Sequence, residues 1–295
     1  MKKDCLYKTD TEELNKILEK EKPELIVFGK SMFLHKEPVD FVHNIVKDWN
    51  PRPVIMYDMA HVLGLYGVLQ EPFKEGADVV TGSTHKTFFG PQRGVVATNI
   101  TKESPLSKLW IDIKGRAFPG STSNHHLGTL LALLMASYEM NTFKKEYQTQ
   151  VRKNAQGFAR ALKDAGIDVE GDEADGFTET HQVVIRVKKY GSGNDIALRL
   201  EKNNIITNYQ ALPDDESFLD ASGIRMGVQE MTRFGMKEDD FKTLAGYIAD
   251  VVIRNKNTKE EIKKFREKFL QMQYCLKKDE AAPLAAKIIS SIFSS

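Results

Sequence analysis

Cysteine is scarce in this chain. Cys5 and Cys275 are the two in 295 residues, and they lie too far apart in sequence to form a Cys-x-x-Cys redox or metal pair. That usage fits a reducing cytoplasm, the expected location. Long apolar runs are missing as well. None approaches the ~20 residues that span a bilayer, and the start, Met1-Lys2-Lys3-Asp4-Cys5, turns polar at once, without a signal-peptide core. Charge of one sign is not in excess: 42 Lys and Arg against 41 Asp and Glu leave a formal +1. Nothing in that balance asks for nucleic acid or an anionic membrane as partner. Internal repeats and low-complexity linkers are absent too. With 41% hydrophobic and 28% charged residues, the chain reads as globular, long enough for one large or two ordinary domains.

The elements alternate. A charged amphipathic helix is predicted over Thr11–Lys22, capped by Thr9, Asp10 or Thr11 and ended by Pro23. Leu25–Phe28 reads as a buried strand, Val39–Trp49 as a helix, and Val54–Tyr57 as a second strand with Asp58 at its C-terminal end. Val79–Thr81 is a third strand, leading into Ser83-Thr84-His85-Lys86-Thr87. Strand, helix, strand order argues for right-handed crossovers and a mostly parallel sheet. Ligands collect at the carboxyl ends of such strands, where Asp58 and Lys86 are both placed. Val95–Ala97 is expected to return antiparallel.

Residues 111–124 read as irregular. A buried helix is predicted over 125–141, with a further helical stretch over 143–165. A domain boundary is placed near residue 145, giving 1–145 as an incomplete α/β large domain and 146–295 as a small α+β domain with a helical tail. In the second part, strands are predicted at Val183–Val187, Ile205–Thr207 and Gly223–Val228. Helices are predicted at Asn194–Asn203, capped by Asn194 or Asp195, and at Lys237–Arg254.

Several residues carry chemistry, each with a plainer reading beside it. Lys86 is a solvated surface charge or, in a partly apolar site, a nucleophilic amine. Asp58 is a helix cap or a carboxylate that keeps a pyridine ring nitrogen protonated. An amine at one strand end and an acid at the next can grip both ends of an aromatic aldehyde cofactor, and the two together favour that reading over the plainer ones. His61 is a core histidine or a neighbour of that cofactor. Arg225 is an exposed strand arginine or a planar fork for a substrate carboxylate. Adjacent His125-His126 do not share a helix face and lack a third ligand, so no metal site is expected. Asp214, Asp215 and Glu216 read as a solvated loop.

These residues resemble the serine hydroxymethyltransferase family, fold-type I enzymes dependent on pyridoxal phosphate. The family's Asp-x-Ala-His-x-x-Gly run is similar to Asp58–Gly64, and its Thr-His-Lys-Thr followed by Gly-Pro to Thr84–Thr87 and Gly90-Pro91. Its Ser-Gly-Ile-Arg run with a later Thr-x-Arg is similar to Ser222–Arg225 and Thr232-Arg233. Lys22–Ile26 with Ser31 extends the resemblance, which covers about residues 10 to 254. It implies that Lys86 holds pyridoxal 5'-phosphate as a Schiff base and that Asp58 pairs with the pyridine nitrogen. It also implies that Ser31 and His61 contact the ring region, that Ser83 lies near the substrate, that His85 precedes the lysine at the cofactor, and that Arg225 binds the substrate carboxylate. The implied chemistry is cleavage or formation of a β-hydroxy amino acid such as serine from glycine.

Departures from the family pattern are as informative. The chain lacks roughly the N-terminal third of the family's length. The serine-glycine phosphate loop, the histidine that stacks on the ring and the glutamate used in proton transfer belong to that part. The chain is therefore expected to act in a homodimer, or with a chain carrying the missing part as in a split gene, or to be a truncated product with little activity alone. A Pro-Gly-x-Gln-Gly-Gly loop is replaced by Pro119–Asn124, removing two glycines, and Gly90–Gly94 is one residue longer than its counterpart. Asn208-Tyr209-Gln210 replaces an Asn-Lys-Asn that faces tetrahydrofolate. That opens the alternative of a folate-independent aldolase or transaldolase. A non-catalytic subunit of the same fold is the other alternative.

Overall fold

The computed structural model describes residues 1–2, 5–124 and 126–293. Its first half is built around a sheet of four strands in the order β1-β2-β3-β4: β1 Leu25–Phe28, β2 Val54–Asp58, β3 Val79–His85 and β4 Phe89–Thr98. β1, β2 and β3 are parallel, and β4 returns antiparallel to β3, as the alternation of elements requires. Helix α1 Thr11–Glu21 precedes the sheet, α2 Val39–Val46 and α3 Pro72–Glu75 lie in the crossovers, and α4 Ser107–Gly115 follows the sheet. Asp10 caps α1, its carboxylate accepting from the backbone N–H of Glu12 and Glu13, two of the donors a helix start leaves orphaned.

The second half holds an antiparallel sheet in the order β5-β6-β8-β7: β5 Asp168–Val169, β6 Gln182–Arg186, β7 Asn208–Gln210 and β8 Gly223–Gly227. Helices α5 Leu127–Asp164, α6 Gly193–Lys202, α7 Gln229–Arg233, α8 Glu238–Val252, α9 Lys259–Arg266 and α10 Lys278–Phe293 complete it. None of the described helices is long and apolar enough to cross a membrane.

Several boundaries differ from the sequence reading. The helices expected over 125–141 and 143–165 are one 38-residue helix, α5, because nothing between them breaks the backbone hydrogen-bond ladder. The boundary placed at residue 145 falls inside it. The N-terminal half of that helix is exposed rather than buried: Leu127, Leu130, Leu131 and Leu134 are 37–63% accessible. Its apolar face meets packing partners only from Ala136 onward. Residues 111–124, expected to be irregular, hold the end of α4 and a π-helical turn at Arg116–Ser121. Ser192, not Asn194 or Asp195, caps α6. The strand expected at Ile205–Thr207 lies three residues later, at β7, where pairing with β8 fixes it.

One large hydrophobic core runs through both halves, from Leu18, Ile55 and Tyr57 to Val151, Phe158, Ile185, Ile224 and Phe241, with a smaller cluster of Cys5, Tyr7, Leu34, Val184 and Leu212 beside it. The halves are also stitched by polar contacts. Glu179 N–H donates to Leu34 O at 2.8 Å, and Thr180 Oγ1 donates to Phe33 O at 2.5 Å. Lys8 pairs with Asp172 and Asp175, each at 2.6 Å.

Phe158 on α5 packs against Phe241 on α8, with ring centroids 5.2 Å apart. Truncating so buried an aromatic removes its transfer free energy and leaves a cavity. Phe158→Ala is expected to lower stability by about 3–5 kcal/mol, read from urea denaturation midpoints at constant slope.

Candidate active site

The site is set by the parallel pairing of β2 and β3. Asp58 sits opposite Thr81 in register, and Met59 N–H donates to Thr81 O at 2.7 Å. Asp58 thus closes β2 while β3 runs on to Ser83 and His85. Lys86 follows in the turn between β3 and β4, its Nζ 3.4 Å from Ser83 Oγ. Asp58 turns its Oδ1 onto the N–H of Ala60 at 2.8 Å, a local Asx-type bond that orients the carboxylate. β1 delivers Gly29 against it. That residue has φ +132°, and a Cβ there would lie 2.7 Å from Asp58 O, so only glycine allows this approach.

The turn is anchored from beneath by Thr87, which is fully buried. Its Oγ1 donates to His61 O at 2.8 Å and accepts from Gly64 N–H at 3.0 Å. Tyr147 on α5 donates its hydroxyl to Thr87 O at 3.0 Å. Gln148 Nε2 donates to Gly64 O at 2.9 Å and to Tyr66 O at 3.0 Å. The Asp58–Gly64 segment and the lysine turn are therefore fixed to each other and to α5.

Arg225 reaches in from β8, its Nη1 donating to Ser31 O at 3.0 Å. Burial pulls its guanidinium below the ordinary arginine value, though it remains a cation. It also lines a surface cleft of about 430 Å³ with Asn208, Tyr209 and Gln210. His61 lies within the field of all the other charged groups. Burial, then the charges of Lys86 and Arg225, push its pKa down to about 4, against an opposing pull from Asp58. Asp58, His61, Lys86 and Arg225 thus form one cluster, joined by Ser31 through Arg225 and by Ser83 through Lys86. His85 stands apart: it is exposed at the end of β3 and makes no side-chain hydrogen bond among the described residues.

Two residues that the motifs did not flag complete the cluster. His181 is buried and its ring lies 6.3 Å from that of His61 at 16°. Burial, then the His61, Arg225 and Lys86 charges, push its pKa down to about 3. Gln182, at the start of β6, contacts both Ser31 and His61. Their signal in the sequence was the polar run Thr178–Gln182 leading into an otherwise apolar strand. Arg233, matched to the family's Thr-x-Arg, holds the frame. It pairs with Glu139 at 2.6 Å and lies 3.6 Å over the Phe89 ring.

His125, half of the His125-His126 pair, lies outside the described residues. A different group, His35, Asp175 and Glu179, places its donor atoms within 4.8 Å of one another. His35 Nε2 accepts from Asp172 N–H at 3.4 Å, so the neutral ring carries its proton on Nδ1, 3.5 Å from Glu179 Oε2. With Lys8 already on Asp175, this is an ion-pair node rather than a ligand set.

The two depressed histidines give the fold a pH signature. The unfolded chain takes protons at both rings as pH falls through about 6.5, whereas the folded chain does so only near 4 and 3. Their stabilisation is complete above about pH 6.5 and is lost as pH falls toward 4. Urea midpoints are expected to drop between pH 7 and pH 5, and His181→Phe is expected to flatten that dependence. An equal slope in the variant would remove His181 as a contributor.

Comparison with known proteins places the chain in a family. The serine hydroxymethyltransferase family model matches residues 3–248. The serine hydroxymethyltransferase of Archaeoglobus fulgidus is 41% identical over 280 residues, covering 92% of this chain and 61% of its own length. That of Pyrobaculum calidifontis is 39% identical over 294 residues, covering 98% and 65%. The chain therefore spans 61–65% of the length of these relatives. Among solved structures, L-threonine transaldolase from Pseudomonas fluorescens, in its internal aldimine state, superposes with a TM-score of 0.81 at 31% identity. That match covers 93% of this chain and 63% of the other. The architecture is that of part of the fold-type I pyridoxal-phosphate enzymes, and over most of its length this chain belongs to the serine hydroxymethyltransferase family.

Proposed function

We propose that this chain carries the amine-and-carboxylate side of a pyridoxal 5'-phosphate site, and that the site makes or breaks the Cα–Cβ bond of a β-hydroxy amino acid. The observation that carries this reading is the convergence on His61 of the Lys86, Arg225 and Asp58 charges at adjacent parallel strand ends. The donor set fits the group: an amine for the aldehyde carbon, a carboxylate for the ring nitrogen, and a glycine whose missing side chain lays backbone against the acid.

When bound, pyridoxal phosphate supplies an electron sink for the bond at Cα. Lys86 is the amine that would hold its aldehyde carbon, with Ser83 Oγ at 3.4 Å to accept a hydrogen bond from the ammonium or donate one to the free amine. Asp58 keeps a proton on the ring nitrogen, its carboxylate held in place by Ala60 N–H. His61 and Ser31 would border the ring, while His85, exposed at the end of β3, takes no part in the cluster. Arg225 spends one N–H on Ser31 O and keeps the rest of its fork for the substrate carboxylate. Glycine, serine or another β-hydroxy amino acid is the substrate class.

A folate-independent transaldolase is the second reading, favoured by the solved transaldolase neighbour and by Tyr209 and Gln210 in the cleft beside Arg225. Tetrahydrofolate would be the co-substrate under the first reading and an aldehyde under the second. A non-catalytic subunit of the same fold is the remaining reading. The exposed leucines of α5, with Leu25 and Val27 on β1, support an assembly, either a homodimer or one with a chain carrying the part of the relatives this chain does not span. Its two cysteines are free, as suits a cytoplasmic setting.

Pyridoxal phosphate added to the purified chain is expected to give a visible band distinct from the free cofactor. Borohydride followed by peptide mass spectrometry is expected to place the label on Lys86, and Lys86→Ala to lose band and label together. A label spread over surface lysines, with the band kept in the variant, would sink the proposal. Adding serine with tetrahydrofolate, which would yield glycine and the one-carbon-loaded folate, or glycine with an aldehyde, which would yield a β-hydroxy amino acid, then separates the two chemistries by product.

A further inference from the structure

We propose that Gln182 is a positioning residue: its carboxamide fixes His61 as the imidazole tautomer protonated on Nε2 and locks that ring to the Ser31–Phe33 backbone. The argument rests on hydrogen-bond polarity. Phe33 N–H donates to Gln182 Oε1 at 2.8 Å, so that atom is the oxygen. The amide nitrogen then lies 3.0 Å from Ser31 O and 3.1 Å from His61 Nδ1. A flipped amide would set oxygen against Ser31 O and NH₂ against an N–H, losing both bonds. The NH₂ therefore spends one hydrogen on Ser31 O and the other on His61 Nδ1. A nitrogen that accepts a hydrogen bond carries no proton, so the neutral ring bears its proton on Nε2.

The surroundings hold the ring in that state. Lys86 faces it from the β3–β4 turn, Arg225 from β8 and Asp58 from the end of β2, while His181 stacks on it from the segment before β6. Two cations against one carboxylate oppose a second proton, as does burial. His181 is itself held neutral by its burial, so it adds no proton source. The Gln182 contact adds a geometric reason, because protonating Nδ1 would set an N–H against the amide N–H. His61 thus presents a constant hydrogen-bond donor at Nε2.

The same amide has a second task. Ser31 O accepts from both Gln182 Nε2 and Arg225 Nη1. One carboxamide thereby couples His61, the Ser31 loop and the arginine of the site, across both halves of the fold. Its backbone is placed by Thr180, whose Oγ1 accepts from Gln182 N–H at 3.2 Å and donates to Phe33 O. The inference stands on contacts within this chain and does not require the cofactor reading.

Long-range proton–nitrogen NMR on the full chain, labelled at histidine, tests it. His61 signals are identified by their loss in His61→Phe. The expected result is an unprotonated Nδ1 and protonated Nε2 in the wild type, without titration between about pH 5 and pH 8. In Gln182→Glu the carboxylate accepts from Nδ1, so Nδ1 becomes protonated and the His61 titration midpoint rises by about one pH unit or more. In Gln182→Leu both tautomers appear without that rise. A wild-type His61 protonated at Nδ1 would overturn the proposal even if neither variant folds, and so would wild-type tautomer and titration in both variants. The measurement needs no cofactor, so its failure is distinct from failure of the Lys86 label.

Discussion

The site depends on one buried hydroxyl. Thr87 Oγ1 bridges His61 O and Gly64 N–H, tying the segment after β2 to the turn after β3. Without it the acid and the lysine would sit on separately mobile loops. The bridge works because the backbones come very close there. A Cβ on Gly64 would fall 2.2 Å from the Thr87 carbonyl, so no larger residue fits. Tyr147 and Gln148 extend the anchor to α5, making the long helix the rear wall of the site. The Lys86 side chain is long and flexible, and this support gives it a fixed origin.

A second clamp acts from the other half. Residues 178–182 run along residues 31–35, and threonine, glutamine and backbone groups bond across the seam. The polar atoms buried there are largely paired, as burial demands. The consequence is functional as well as mechanical, because Arg225 and Gln182 come from the antiparallel sheet while Lys86, Asp58 and Ser31 come with the parallel one. Burial, and then cations from two sheets, hold the His61 imidazole neutral.

Much of this was legible in sequence, for physical reasons. β1 and β2 showed as short apolar runs bounded by charged residues, proline and glycine, although the strand expected to be buried at β1 leaves Leu25 and Val27 exposed on one face. Asp58 and Lys86 showed because strand ends in a parallel sheet are where polar groups gather. Other features were hidden. The exposed leucines of α5 read as a buried face because periodicity reports which side is apolar, not whether a partner covers it. Its continuity through residue 142 was missed because polar residues in an exposed turn do not break a helix.

The sequence by itself determined the strand–helix alternation, the glycine after β1, and the acid and amine at two strand ends. These are local matters of side-chain pattern and backbone freedom. Only the tertiary structure decided that Gln182 meets His61, that Thr87 carries the turn, and that His85 is left exposed. Contacts of that kind join residues from 26 to 121 positions apart, and a register irregularity between Ser83 and His85 interrupts the alternation of β3, leaving Ser83 partly buried and His85 exposed. No local pattern encodes which distant atoms will share a proton, because that is settled only when the two sheets pack.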